Sequence, residues 1–179
     1  MLAEGELLRD SVVVWNLEHA RKVFKEGFYG KPLGIAKPKD ISFEAPLVLD
    51  LVEALYLQQK NKLLVFSGGR TISPDELEKH ASLLEENFSI KYRVYRDLRD
   101  RGFVVLPGIK FGSDFAAYRH GPGIDHAPFI IQVKNRTGSI SALEIIRAGR
   151  LATSVKKHFT IAVPSEDKVS YVLFEWWKA

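Results

Sequence analysis

The chain has 179 residues, 46% of them hydrophobic and 27% charged, which is ordinary for a globular protein with one large domain or two small ones. It contains no cysteine, which excludes disulfides and thiolate metal sites and fits a reducing compartment. No apolar run is long enough to cross a membrane and the first residues lack an export signal, so we expect a cytoplasmic protein without a membrane partner.

The net charge of +4 is distributed unevenly along the chain. Residues 1–88 carry 11 Lys and Arg against 14 Asp and Glu, whereas residues 89–179 carry 15 against 8. A basic second half suits an anionic partner. The charged, solvated surface of a heat-stable protein would give the same count.

The first half predicts a small α+β domain over residues 1–88. A strand at 11–15 is followed by Asn16, which can cap a helix over Leu17–Lys25. A Gly- and Pro-rich loop of nearly twenty residues follows, too long for a simple connector. The apolar run from Leu47 to Leu57 favours one buried helix of about twelve residues.

The rest of this half has clear local signals. A strand at Leu63–Phe66 ends in a Ser-Gly-Gly-Arg turn. Ser73 then has the features of a helix cap, with Pro74 at the first helical position and Glu76 completing a capping box. We expect that helix to run to about Asn87.

The second half, residues 89–179, predicts an α/β domain with a central mixed sheet flanked by helices. A basic helix over Ile90–Arg101 is ended by Gly102, and we interpret its cations as structural. The remaining elements are predicted strands at Phe103–Leu106, Lys110–Arg119, Phe129–Lys134, Phe159–Val163 and Val169–Trp176, and a helix over Ser141–Lys157.

The sequence lacks the motifs of a nucleotide-binding site and of a metal site. The Gly121-Pro122-Gly123 segment does not lie between a strand and a helix, as a nucleotide-binding fingerprint requires. His120 and His126 are not paired with other ligands at metal-binding spacing. We therefore expect neither a metal nor a cofactor.

Three residues of the second half could together cleave RNA without a metal, by attack of the substrate's own 2′-hydroxyl. Tyr118 could accept the 2′ proton if nearby cations lower its pKa. His126 suits the acid that protonates the leaving 5′-oxygen, since imidazole titrates near neutral pH. Lys157 would stabilise the charge on the pentacoordinate phosphate.

The predicted last helix places cations on one stripe. Arg147, Arg150, Ser154 and Lys157 are spaced by three, four and three residues, as a phosphate pocket would need. A surface stripe of cations at a helix C-terminus would look the same. Taken singly, Tyr118, His126 and Lys157 also fit packing, surface and helix-dipole roles.

Several motifs resemble those of the archaeal tRNA-splicing (tRNA-intron) endonucleases, over most of the chain. They include Val52–Leu57, Tyr95–Gly102, Lys110–Phe115 with the downstream Tyr118 and His126, and Gly149–Lys157. The resemblance implies that Tyr118 is the general base, His126 the general acid and Lys157, rather than Lys156, the transition-state stabiliser.

The resemblance also implies RNA-binding residues. Arg150 matches one arginine of a pair that clamps an extruded bulge base, a stacking role suited to guanidinium groups. The second arginine, expected near the C-terminus, is absent, and we expect Trp176 to stack there instead. Lys37 and Lys39, in the long loop, are candidate RNA contacts, although a partner-docking or disordered insertion fits that loop equally well.

The family's assembly gives expectations about partners. Its members recognise a bulge–helix–bulge in precursor tRNA as homotetramers or as two catalytic and two structural subunits. The family's acidic docking loop after the Phe129–Lys134 strand is basic here, Lys134-Asn135-Arg136-Thr137-Gly138, which favours the two-plus-two heterotetramer. The apolar Tyr171–Trp177 tail suits strand pairing between subunits.

Two other functions stay open at this point. A non-cleaving structural or RNA-binding subunit of such an assembly would share the fold, although it has no use for Tyr118, His126 and Lys157 together. A metal-dependent DNA nuclease could have a similar α/β core, but no acidic cluster beside a lysine is evident.

Overall fold

The computed structural model describes residues 2–35, 42–109, 112–124, 129–154 and 157–175. The chain divides into two compact units, Met1–Ser89 and Ile90–Ala179. The first is an α+β unit and the second is a mixed sheet with helices, which confirms the predicted fold class. Among the described residues, no helix is both long and apolar enough to traverse a lipid bilayer.

A mixed sheet forms the centre of the first unit. Its strands are β1 (Ala3–Leu7), β2 (Ser11–Val14), β3 (Lys31–Pro32), β4 (Leu47–Asp50), β5 (Leu63–Ser67) and β6 (Arg70–Ile72), in the order β3-β4-β2-β1-β5-β6. Only β1 and β5 pair in parallel among the pairings described. The helices are α1 (Leu17–Gly27), α2 (Leu51–Gln59) and α3 (Pro74–Leu84).

The helix caps of this unit agree with the predictions. The Asn16 side chain accepts a hydrogen bond from the His19 amide, and Ser73 and Glu76 form a reciprocal capping box at the start of α3. Helix α3 ends at Leu84, three residues earlier than predicted.

The prediction of one helix of about twelve residues over the Leu47–Leu57 run is wrong, because the run is divided between strand β4 and helix α2. The division is at Asp50, whose carboxylate accepts from the Val52 amide while the Glu53 carboxylate accepts from the Asp50 amide at 2.9 Å. Glu53 is buried and also accepts from the Gly30 amide at 2.9 Å. A run that is apolar on both faces does not distinguish a strand from a helix, so periodicity could not find this boundary.

The second unit begins within helix α4 (Phe88–Asp100). Its other elements are β7 (Val104–Pro107), β8 (Phe115–Tyr118), β9 (Phe129–Val133), α5 (Ala142–Ser154), β10 (His158–Pro164) and β11 (Val169–Phe174). The strand order is β11-β10-β9-β8-β7, with β9 and β10 parallel and the other neighbours antiparallel.

Helices cover both faces of this sheet. On one face, the ring of Tyr95 in α4 lies 5.8 Å from the Phe115 ring, and the Tyr171 hydroxyl donates to Asp97 of α4 at 2.6 Å. On the other face, Ile130 and Phe159 pack with Ala148 of α5. Neighbouring residues of each strand therefore face different helices, as the pleat requires.

The basic helix α4 is structural, as predicted. Arg99 is buried, and its guanidinium donates to the Tyr95 hydroxyl at 2.9 Å and to the Val105 carbonyl at 3.0 Å. Arg93 donates to the backbone carbonyls of Ser165 and Glu166. These cations hold α4 on its own unit.

Two of the boundaries that differ from prediction in this unit matter for the candidate site. Helix α5 ends at Ser154, and Lys157 lies outside it, directly before β10, so the prediction that Lys157 closes the helix is wrong. Strand β8 begins at Phe115 rather than near Lys110, because Gly108 and Ser113 close a turn through a hydrogen bond from the Ser113 amide to the Gly108 carbonyl at 3.3 Å.

Candidate active site

The strand register places Tyr118 and Lys157 at the same end of the second sheet. Ala117 of β8 pairs with Phe129 of β9, which pairs with His158 of β10. Tyr118 and Lys157 lie one residue beyond this row, on the strands on either side of β9. We call this end of the sheet, defined by Tyr118, Phe129 and Lys157, the Tyr118 edge.

The two residues also share a face of the sheet. Tyr118 alternates with Ala117 and so faces the same way as Ala116, which pairs with Ile130, and Ile130 pairs with Phe159. Lys157 precedes Phe159 by two residues, so continued alternation gives it this face as well. Two strand spacings separate the backbones by about 10 Å, a gap that a phenol and an ammonium can close around one phosphate.

The connection between β9 and β10 brings the end of α5 to this edge. Because β9 and β10 are parallel, α5 must run back along the sheet, and its C-terminus returns to the start of β10. Arg150 is exposed near that C-terminus. Lys157 is therefore positioned by the start of a strand, rather than by the stripe of a helix.

His126 lies outside the described residues, as do Lys37, Lys39 and Trp176. The connection that contains position 126 leaves the sheet after Tyr118 and returns at Phe129, so both of its ends are at the Tyr118 edge. Its first part is turned by a hydrogen bond from the Ile124 amide to the Gly121 carbonyl at 3.2 Å.

The Asp114 part of the Lys110–Phe115 motif belongs to the opposite end of the sheet. The Asp114 side chain is 10% exposed and forms an ion pair with Lys91 at 2.8 Å. It also accepts from the Val133 amide and from the Gln132 side chain, both at 2.7 Å. Tyr118 is four positions farther along the chain, about 13 Å in extended conformation, so the role of Asp114 is to fix the register of β8 against β9.

Cationic and imidazole side chains gather near the Tyr118 edge. Arg119 and His120 follow Tyr118 and are exposed, and His158 follows Lys157. Glu175 is an acidic neighbour, 3.9 Å from His158 Nδ1. Within the part of the chain that is described, no three His, Asp or Glu side chains are grouped as ligands for a metal ion.

The second tyrosine on this sheet has a different character. Burial and the hydrogen bond to the Asp97 carboxylate raise the pKa of Tyr171 far above its ordinary value. This phenol therefore stays protonated and links β11 to α4. It cannot serve as a base near neutral pH.

Two family models match the chain. The tRNA intron endonuclease N-terminal domain matches residues 3–78, and the tRNA intron endonuclease catalytic C-terminal domain matches residues 88–171.

Curated relatives match over nearly their whole length. A tRNA-splicing endonuclease of Hyperthermus butylicus is 45% identical, over 96% of this chain and 97% of its own. The tRNA-splicing endonuclease of Pyrobaculum islandicum is 44% identical, over 98% and 99% of the two chains. That of Sulfurisphaera tokodaii is 40% identical, over 97% and 98%. With both domain models matched and these identities, the chain belongs to the tRNA intron endonuclease family.

Proposed function

We propose that this tRNA-splicing endonuclease is a catalytic subunit that excises introns from precursor tRNA at bulge–helix–bulge sites. The attacking group is the substrate's 2′-hydroxyl, and the products carry 2′,3′-cyclic phosphate and 5′-hydroxyl ends. The observation that carries the proposal is the common edge and common face of Tyr118 and Lys157.

Each of three side chains has one task in this mechanism. Tyr118, as the phenolate, takes the proton of the 2′-hydroxyl as the 2′-oxygen forms its bond to phosphorus. Lys157 stabilises the added negative charge of the pentacoordinate phosphate. His126 gives a proton to the 5′-oxygen as the bond from phosphorus to that oxygen breaks. No metal and no cofactor takes part.

The RNA contacts are part of the same proposal. Arg150 is exposed near the end of α5 that reaches the Tyr118 edge, so its guanidinium is available to stack on an extruded base. Trp176 follows β11 by two residues and takes the place of a second clamping arginine. Lys37 and Lys39 contact the phosphate backbone of the RNA.

The proposed assembly has two catalytic and two structural subunits, in the cytoplasm; a homotetramer is the competing form. Strand β11 is the last strand at one side of the sheet, and its Val172 and Leu173 side chains are 50% and 45% exposed. An apolar edge strand of this kind is suited to pairing with another subunit. The basic loop at 134–138 favours a partner that supplies the acidic counterpart.

The alternative is a non-cleaving structural or RNA-binding subunit. A cleavage assay distinguishes the catalytic subunit from this alternative. The purified chain, alone and with its structural partner, is incubated with a bulge–helix–bulge RNA in the presence of a chelator. We expect cleavage that leaves cyclic phosphate ends. Products with 5′-phosphate ends would contradict attack by the 2′-hydroxyl, and the absence of cleavage in every assembly would favour the alternative.

Matched pairs of variants test the residue roles. Lys157→Ala and His126→Ala should each slow single-turnover cleavage by about a hundredfold or more. The controls are Lys156→Ala, which removes the neighbouring ammonium, and His120→Ala, which removes the other imidazole of the same connection. Both controls should stay within a few-fold of the unmodified enzyme. If a control variant slows cleavage as much as the variant it is paired with, the residue proposed as catalytic in that pair has no place in the mechanism.

A further inference from the structure

Three rings form a continuous row next to the Tyr118 edge. The ring centroids of Phe103 and Phe129 are 5.9 Å apart at an interplanar angle of 81°. Those of Phe129 and His158 are also 5.9 Å apart, at 37°. We call Phe103, Phe129 and His158 the aromatic row.

The aromatic row is only partly covered by the protein. Phe103 and Phe129 are half-buried, and the His158 side chain is 50% exposed. Rings that serve only the core of this sheet differ in this respect, since Phe115 and Phe159 are 6% and 4% exposed. The row therefore presents ring surface to solvent at the end of the sheet where cleavage is proposed.

The His158 ring is supported from both neighbouring strands. Phe129 of β9 lies against it on one side, and Glu175, after β11, lies 3.9 Å from Nδ1 on the other. An exposed ring held in this way loses little side-chain entropy when a ligand stacks on it. Lys157 is the preceding residue, so its Cα is 3.8 Å away by the geometry of a trans peptide.

We propose that His158, supported by Phe129, stacks on the base of a single-stranded nucleotide that flanks the scissile phosphate. Every base has a π-face, so the contact recognises an unpaired base without selecting its identity. Because His158 lies on the face opposite to Tyr118 and Lys157, it acts in binding and not in proton transfer. This inference rests on the proposed function, since it takes the scissile phosphate to lie at Lys157.

Stacking on an aromatic side chain contributes about 1–3 kcal/mol per base, which corresponds to a change of roughly 5- to 150-fold in Kd. We therefore expect His158→Ala to raise the Kd of the assembled enzyme by a factor in that range. His158→Phe keeps a flat ring without the imidazole nitrogens, and its Kd should stay within about twofold of the unmodified enzyme.

The probe is a bulge–helix–bulge RNA with a 2′-deoxy nucleotide at each cleavage site, which cannot react by 2′-hydroxyl attack. An abasic residue is placed in turn at each single-stranded position that flanks these sites. At one position, loss of the base should weaken binding to the unmodified enzyme as much as His158→Ala does. At that position it should change nothing in the His158→Ala enzyme, because both changes remove the same contact.

The outcomes separate this inference from the proposed function. Equal Kd values for His158→Ala and the unmodified enzyme would overturn the stacking site. So would additive losses of binding free energy from His158→Ala and the abasic residue at every position tested. Cleavage of the 2′-deoxy probe would instead overturn the proposed mechanism. Should His158→Ala fail to fold by circular dichroism, the His158→Phe and His158→Leu pair repeats the comparison, with weaker binding expected only for leucine.

Discussion

Asp114→Ala tests whether Asp114 stabilises one end of the second sheet without affecting cleavage at the other end, the Tyr118 edge. The substitution removes an ion-pair partner of Lys91 and the acceptor of the Val133 amide and of the Gln132 side chain. An amide left without an acceptor costs about 1–3 kcal/mol, and breaking a buried ion pair costs about 3–5 kcal/mol. The Lys91 side chain is 26% exposed, so water recovers part of the second cost. We expect a loss of about 3 kcal/mol in the free energy of unfolding of the second unit.

The assay is amide hydrogen exchange of β8 and β9, which reports the opening of this unit. A loss of about 3 kcal/mol should speed exchange by roughly 100-fold in the regime where exchange follows the opening equilibrium. Asp114→Asn keeps an oxygen for the Val133 amide and should lose about half as much free energy.

Cleavage should respond differently from stability. Asp114 is about 13 Å of strand from Tyr118, so the single-turnover rate constant of the folded Asp114→Ala enzyme should stay within about threefold of the unmodified enzyme. Unchanged exchange would refute the anchoring role. A decrease of tenfold or more in the single-turnover rate constant of the fully folded variant would refute the claim that Asp114 lies outside the active site.

The remaining predictions concern the first unit and helix α4. Ser73→Ala should destabilise the first unit by about 1 kcal/mol through loss of the α3 cap, measured by chemical denaturation. The hydrogen bonds from Arg70 and Ser73 lower the pKa of Glu76 to about 2 from its ordinary 4.5, so its stabilising effect is complete above pH 4.5 and is lost as the pH falls towards 2. Glu76→Gln should therefore lower the denaturation midpoint at pH 7, with the difference disappearing near pH 2. Gly30→Ala should destabilise by about 1–3 kcal/mol, since Gly30 has a φ of +71° and its added Cβ would lie 2.7 Å from the Val48 carbonyl oxygen. Arg99→Met should cost about 1–3 kcal/mol, because the Val105 carbonyl loses its buried donor, and a midpoint unchanged from the unmodified chain would refute this role.

Local signals predicted much of the fold. The caps at Asn16 and Ser73 depend on a side chain and an amide three residues away, so the local sequence contains both partners. Strand β1 was missed, because Glu4 and Glu6 interrupt a short segment whose pairing with β2 and β5 depends on residues elsewhere in the chain. Continuous burial on both faces hid the boundary at Asp50 for a similar reason.

The roles of the site residues stay a prediction, and their geometry has no signal in the local sequence. Tyr118 and Lys157 are separated by 38 intervening residues, and their common edge depends on the pairing of β8, β9 and β10. The helical pattern after Ala142 continues through Ser154, which made Lys157 look helical, whereas the pairing of His158 with Phe129 makes the next segment a strand. The aromatic row has no local signature at all, since its three rings come from different parts of the chain.

Most directly, the convergence of the phenol and the ammonium on one phosphodiester is tested by single-turnover cleavage with Tyr118→Phe, Lys157→Ala and the double variant. Tyr171→Phe serves as the control for loss of a phenol hydroxyl. If both groups act on the same transition state, the double variant should be no more than about threefold slower than the slower single variant, because residues that act as a unit are not additive. A double variant slowed by the product of the two single losses would contradict a shared site.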